Sequence, residues 1–289
     1  MPNYPTLLRS ALARTGVPIN VSNPAAPLLV STFDRLFAAT GEATVTLASA
    51  ELKLDLAQPP ERLLYYAGPN VLRAYRRSEL YRVLRSHADP SLRFVDVGAN
   101  LGLFSLLARE LGMRALLFEP EPQHRRFLER NASVFGTVSG LALSDVDGTA
   151  EFFVADPRNS GASSLVGLRQ GSTAGTYAGA TSVQVSTFDT ALAQLDVDGA
   201  AIGLIKIDVE GNEERTVRGM SGYLSEHGAP VWCEVRGPTS DRGARSYEGV
   251  TRLMGEHGYT PHVSSRGRIE PFKPTARLPQ VFDLLLLKG

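Results

Sequence analysis

The chain has a single cysteine, Cys233, so it cannot form an intramolecular disulfide or a cysteine cluster for zinc, and a reducing compartment fits. It has no surplus of charge of either sign: 30 Lys plus Arg balance 30 Asp plus Glu. That balance argues against a broad electrostatic footprint for nucleic acid or an anionic membrane, and favours small neutral partners. It also lacks an uninterrupted apolar run of about 18 residues, the length a membrane-spanning helix needs. Arg9 and Arg14 interrupt what would have to be a signal core, so a cytoplasmic location is expected. Only four of the basic residues are Lys, a bias that carries no functional weight. None of the five histidines stands in a metal-ligand spacing, and His262 is a remote candidate for a base.

What is present is ordinary globular material: 289 residues, 43% hydrophobic and 21% charged, enough for one large domain or a domain with an extension. Residues 1–90 read as a mainly helical extension. Thr6 to Arg14 and Ser31 to Ala39 space apolar residues by three and four, with Gly16, Pro18, Pro24 and Pro27 breaking the chain between them. Thr44 to Leu56 alternates as an antiparallel pair. Gly68 to Ser86 predicts one long helix with Leu72, Tyr75, Leu80 and Leu84 on its apolar side, ended by Asp89-Pro90.

From residue 91 to 289 the pattern becomes alternating α/β. Strands are predicted at Leu92 to Val97, Ala115 to Phe118, Val138 to Leu143, Ile202 to Val209, Pro230 to Val235 and Val281 to Leu287. Helices are predicted from near Leu101, Pro122, Glu213 and Tyr247. Pro157 to Thr181, rich in Gly, Ser, Ala and Thr, has little to bury and reads as a disordered loop or a lid.

The segment from Phe94 to Gly112 runs from a strand through a glycine turn into a helix. Gly98 can take a positive φ and Gly102 permits close approach, so a nucleotide-like ligand belongs in this crevice. A dinucleotide fingerprint would need Gly at 100 and Gly or Ala at 103. Asn100 and Leu103 stand there, which weakens a nicotinamide oxidoreductase reading. Seventeen residues past Gly102, Glu119 ends the second strand, where a carboxylate can accept from both hydroxyls of a ribose.

The motifs VDVGANLG (residues 95–102), FEPEP (118–122) with Asn131 behind it, LALSD (141–145), Ser163-Ser164-Leu165, VSTFD (185–189) and IKIDVEG (205–211) together resemble the FkbM family of S-adenosylmethionine-dependent methyltransferases. The resemblance covers roughly residues 90 to 236 and implies a Rossmann-like seven-stranded class I methyltransferase sheet behind the N-terminal extension. It implies O-methylation of a small-molecule hydroxyl on a natural product, polyketide or sugar. It also implies that Gly98, Asn100 and Gly102 wrap the amino-acid part of the cofactor, that Glu119 holds its ribose, and that Asp96 helps fix its amino group. Ser144 and Asp145 are similar to positions that flank adenine, and Ser163 and Ser164 match a family element that closes over cofactor or acceptor. Asn131 reads as a helix C-cap.

Strand alternation predicts Asp208 and Glu210 on one face at the end of the fourth strand, with Glu234 near the end of the fifth. Methyl transfer requires an acceptor oxygen in line with the departing sulfur and a group to take its proton. Asp208, Glu210 and Glu234 are the candidates for that group, Asp208 first. Asp208 also counts among the cofactor contacts. The same trio could instead hold a divalent cation, which this reading does not assign. Lys206 is expected to neutralise Asp208. Asn212 reads as an N-cap, with Glu213 and Glu214 in the first turn behind it. The alternative to an enzyme is a methyltransferase-like subunit that binds cofactor or a partner without turnover. The extension is expected to help form the acceptor pocket or a homodimer.

Overall fold

A computed structural model describes residues 40–156, 161–167, 177–237, 246–274 and 278–289. The two helices expected at Thr6 to Arg14 and Ser31 to Ala39 lie outside the described residues, as does most of the Gly/Ser-rich segment.

The described chain opens with an antiparallel hairpin, β1 (Glu42–Leu47) and β2 (Ala50–Asp55). Ala48 and Ser49 both take positive φ at its tip, the backbone a tight two-residue hairpin turn demands. Three helices follow: α1 (Pro59–Ala67), α2 (Asn70–Tyr75) and α3 (Glu79–Ser86). The single helix expected over Gly68 to Ser86 is therefore broken. Ser78 is the reason: its hydroxyl donates to the Tyr75 carbonyl (2.6 Å) and accepts from the Tyr81 N–H (3.2 Å), ending one helix and capping the next.

An eight-stranded sheet forms the body. Its parallel centre is β3 (Arg93–Val97), β4 (Arg114–Phe118) and β5 (Gly136–Ser139) on one side. Helix α4 (Leu103–Glu110) links β3 to β4, and α5 (Pro122–Arg130) with α6 (Ala132–Phe135) links β4 to β5. A smaller three-stranded sheet of β6 (Ala142–Leu143), β7 (Gly148–Ala155) and β8 (Tyr177–Ser186) branches off next, followed by α7 (Phe188–Gln194). The chain returns through β9 (Ile202–Ile207), α8 (Glu213–Arg218), α9 (Ser221–Glu226), β10 (Val231–Arg236) and α10 (Ser246–Glu256). It ends in β11 (Tyr259–Ser265), β12 (Arg268–Pro271) and β13 (Val281–Lys288).

The order across the large sheet is β12-β11-β13-β10-β9-β3-β4-β5. Without the edge strand β12 this is the seven-stranded plan, with β13 antiparallel to its neighbours β10 and β11. Strand order reverses between β3 and β9, so the ligand crevice of an open α/β sheet falls at their carboxyl ends.

Three strand expectations need correction. Val138 to Leu143 is two strands, because the chain leaves the large sheet at Gly140 and enters the small one. Strand β9 stops at Ile207, two residues early. Residues 177–181 of the expected loop are part of β8, and Ser164 bridges to Phe153 of β7.

Alternation along the central strands splits the core. Phe94, Leu117, Leu204, Trp232 and Leu285 share one cluster with hairpin and helix residues such as Leu52, Leu64 and Leu84. The described extension thus packs into the same core as the sheet. Val95, Ile205, Ile207, Cys233 and Val235 face the other layer with Phe188, Leu224 and Val250. Asn131 ties the extension on: its side chain accepts from the Lys53 N–H (2.8 Å) and donates to the Lys53 (3.0 Å) and Phe127 (2.9 Å) carbonyls.

Candidate active site

The turn after β3 is built by backbone geometry. Gly98 and Ala99 both donate to the Phe118 carbonyl (3.0 and 3.2 Å), and the Asp208 N–H donates to the Val97 carbonyl (3.0 Å). Gly98 sits at φ +75°, and a Cβ there would lie 1.9 Å from the Asp208 carbonyl oxygen. Only glycine fits between the two strand ends. Asn100 follows at φ +52° and donates its N–H to Glu119 (2.6 Å). A Cβ at Gly102 would meet Phe135 and Leu128 at 2.7 and 2.9 Å, so its bare backbone also serves helix packing.

Glu119 is 5% exposed. Its second carboxylate oxygen accepts from the Glu121 N–H (2.8 Å). Burial pushes its pKa up to about 7, against the pull of those two backbone donors. A cleft of about 600 Å³ opens beside it, walled by Gly98, Asn100, Glu119, His124, Leu143 and Asp208. His124 is a wall residue that sequence reasoning left among the structural histidines. Burial lowers its pKa, and the nearby Glu121 carboxylate, 3.5 Å from Nδ1, opposes that.

Ser144 and Asp145 do not face this cleft, whose wall at that point is Leu141, Ala142 and Leu143. The Asp145 carboxylate is turned to Arg215 (2.8 Å), and the Ser144 N–H bonds the Ser186 carbonyl at the end of β8. Ser163 does line the cleft, and its Oγ accepts from the Ala155 N–H (3.0 Å). Ser164 is 1% exposed, and its hydroxyl donates to the Glu210 carbonyl (2.8 Å); it anchors the segment and is not placed to touch a substrate.

Asp96 is buried inside the protein. One oxygen accepts from the Ser105 hydroxyl (2.7 Å) and the other lies 3.2 Å from Lys206 Nζ. Its side chain is part of neither cleft wall on the two sides of the turn. Lys206 Nζ donates to the Gly98 carbonyl (3.0 Å) and stands 3.4 Å from Asp208. Burial alone would lower this ammonium, but Asp96 and Asp208 outweigh it and hold it well above its ordinary range. Lys206 thus cross-links β3 to β9 under the turn.

Asp208, Glu210 and Glu234 do converge, with carboxylate oxygens within 4.8 Å of one another. The route differs from strand alternation: β9 has ended, and Glu210 takes φ +57° in the following turn. The three acids have different standing. Glu210 is ion-paired with Arg236, a partner that sequence reasoning missed. Burial, then the charges of Asp208 and Glu210, push Glu234 up to about 9, which favours its protonated form at neutral pH. Asp208 remains a wall residue open to the cleft. Asn212 occupies the N-cap position of α8 but does not cap; its amide donates to the Leu143 carbonyl (3.0 Å). Glu213 accepts instead from the Gly211 N–H (2.7 Å). His262 bonds the Thr260 carbonyl in β11, two residues back along its own strand.

The cleft has the features an adenosyl amino acid needs: a glycine cradle that a Cβ would fill, a buried carboxylate in the wall, and an acid opposite. Residues 96–261, more than half of the chain, match the Methyltransferase FkbM domain. Among solved structures, the chain is similar to methyltransferase FkbM from Methylobacillus flagellatus KT at 17% identity and TM-score 0.43, covering 80% of this chain and 53% of that one. It is similar to P. horikoshii TYW2 in complex with MeSAdo at 13% and 0.40, covering 99% and 100%. It is also similar to magnesium protoporphyrin IX methyltransferase (ChlM) from Synechocystis PCC 6803 with bound SAM at 10% and 0.41, covering 100% and 99%. The chain spans about half the length of the Methylobacillus protein. No curated protein sequence matches it. From its domain match and its switch-point cleft, the chain belongs to the FkbM family of S-adenosylmethionine-dependent methyltransferases.

Proposed function

We propose that the protein transfers a methyl group to a hydroxyl of a small molecule, in the class of natural products, polyketides or sugars. The observation that carries this reading is Asp208: a carboxylate just past the strand tip, 3.4 Å from Lys206, in the wall of the cleft that Gly98 and Glu119 define. Gly98 and Asn100 are suited to wrap the cofactor's sulfur end, and Glu119 to accept from its ribose hydroxyls. When bound, S-adenosylmethionine supplies the methyl group on a positively charged sulfur. Asp208 takes the acceptor's proton as the oxygen–carbon bond forms and the carbon–sulfur bond breaks. Arg236, paired with Glu210, holds that carboxylate out of proton transfer. Orientation of the acceptor supplies much of the rate. The balanced charge of the chain favours a small neutral acceptor over nucleic acid.

The test is incubation with radiolabelled methyl donor and a panel of polyketide, glycoside and peptide acceptors, with and without chelator. Label is expected on a hydroxyl, unaffected by chelation. Binding of S-adenosylhomocysteine with no acceptor of any hydroxylated class labelled would overturn the reading in favour of a silent cofactor-binding subunit.

A further inference from the structure

A second cleft, about 400 Å³, opens on the other side of the glycine turn. Gly98, Asn100 and Asp208 border both clefts, and the new walls are Phe104, Lys206 and Tyr75. Tyr75 is the outlier. It ends α2 and so lies ahead of the matched domain, which begins at residue 96. Several contacts hold it in place. Its ring packs edge-on against Phe104 with centroids 5.1 Å apart. Its carbonyl accepts from Ser78, which starts α3. Helix α3 is in turn pinned by Glu79, which accepts from the Ser264 hydroxyl (2.8 Å) and the N–H groups of Arg266 (2.9 Å) and Gly267 (3.1 Å) beyond β11.

The Tyr75 hydroxyl faces charges it does not bond. Burial pushes its pKa up to about 12, with Lys206 opposing and Asp208 and Asp96 adding to the rise. It is therefore a hydrogen-bond donor throughout the physiological range, and among the described residues it has no hydrogen-bond partner. A free donor on the wall beside the glycine turn suits a carboxylate, and the amino-acid end of S-adenosylmethionine carries one.

We propose that Tyr75 binds the methionyl carboxylate of S-adenosylmethionine through its hydroxyl, so that the segment ahead of the family domain completes the cofactor site. The proposal rests on the cofactor cleft assigned above. It makes the extension part of cofactor recognition, where the sequence placed it at the acceptor pocket or a dimer interface.

The experiment compares wild type with Tyr75→Phe, which keeps the ring against Phe104, by calorimetric titration with two probes. S-adenosylhomocysteine carries the amino-acid end, and 5′-methylthioadenosine lacks it. Loss of a hydrogen bond to a charged group predicts roughly tenfold or weaker binding of S-adenosylhomocysteine. Binding of 5′-methylthioadenosine is expected to stay the same, which also shows that the variant is folded. Equal weakening of both probes, or of neither, overturns the proposal. So does a raised KM for acceptor with unchanged S-adenosylhomocysteine affinity, which would place the hydroxyl in the acceptor site. Failure of the wild type to bind either probe would overturn the cofactor cleft itself and is seen before any variant is made.

Discussion

The protonation of Glu119 makes cofactor affinity depend on pH in a direction the structure fixes. Burial holds its pKa near 7 without ligand, and ribose hydroxyls donate best to the ionised form. Binding therefore draws on the ionised fraction, about nine-tenths at pH 8 and about one-tenth at pH 6, a tenfold loss of affinity or roughly 1.4 kcal/mol. Calorimetric titration of S-adenosylhomocysteine between pH 6 and 8.5 measures it. The isosteric Glu119→Gln should bind more weakly at pH 8 and show a flattened profile. Folding stability runs the opposite way. A carboxyl raised from 4.5 to about 7 in the fold contributes stability that is fully present below pH 4.5 and lost as pH rises through 7. Glu119→Gln should therefore gain stability relative to wild type on going from pH 5 to 8. A flat wild-type binding profile, tighter binding at pH 6, or an unchanged slope in Glu119→Gln would refute the assignment of Glu119 to the ribose.

Gly98→Ala should abolish S-adenosylhomocysteine binding and lower the urea midpoint. The left-handed backbone costs on the order of 1–2 kcal/mol and the Cβ also displaces the Asp208 carbonyl. Asp208→Asn and Glu234→Gln should separate at pH 7. The first should lower kcat by roughly 10²-fold or more as the base is lost. The second, which mimics a carboxyl already protonated, should stay within a few-fold and lose any activity change centred near pH 9. A large loss in Glu234→Gln would make Glu234 the base. Asn131→Ala should cost about 1–3 kcal/mol in urea unfolding, through the orphaned backbone groups of Lys53, with cofactor affinity unchanged.

The central strands were legible because their runs are short, apolar and separated by helix-length segments, and the glycine turn was legible because its conformation restricts residue type. The sheet of β6, β7 and β8 was not. Strand β8 begins in Tyr177 and the small residues Ala178 to Ser182, whose strand character comes from pairing with β7 and not from burial. The break at Ser78 was hidden inside a continuing apolar stripe, and it is the break that leaves Tyr75 at a helix end facing the cleft. The convergence of three acids was readable, but the division of labour among them was not. It depends on Arg236 and on burial, both set by the register of β10. Asp96, Ser144 and Asp145 sit at strand ends by sequence, yet their side chains are taken up by Lys206, Ser105 and Arg215, or stay outside the cleft wall.

The most direct test of the account is a crystal structure of the protein soaked with S-adenosylhomocysteine. Ribose hydroxyls are expected on the Glu119 carboxylate, the sulfur beside Gly98 and Asp208, and the amino-acid end in the Tyr75 cleft. A well-ordered crystal with the crevice empty, or with the nucleoside bound away from Glu119, would contradict it.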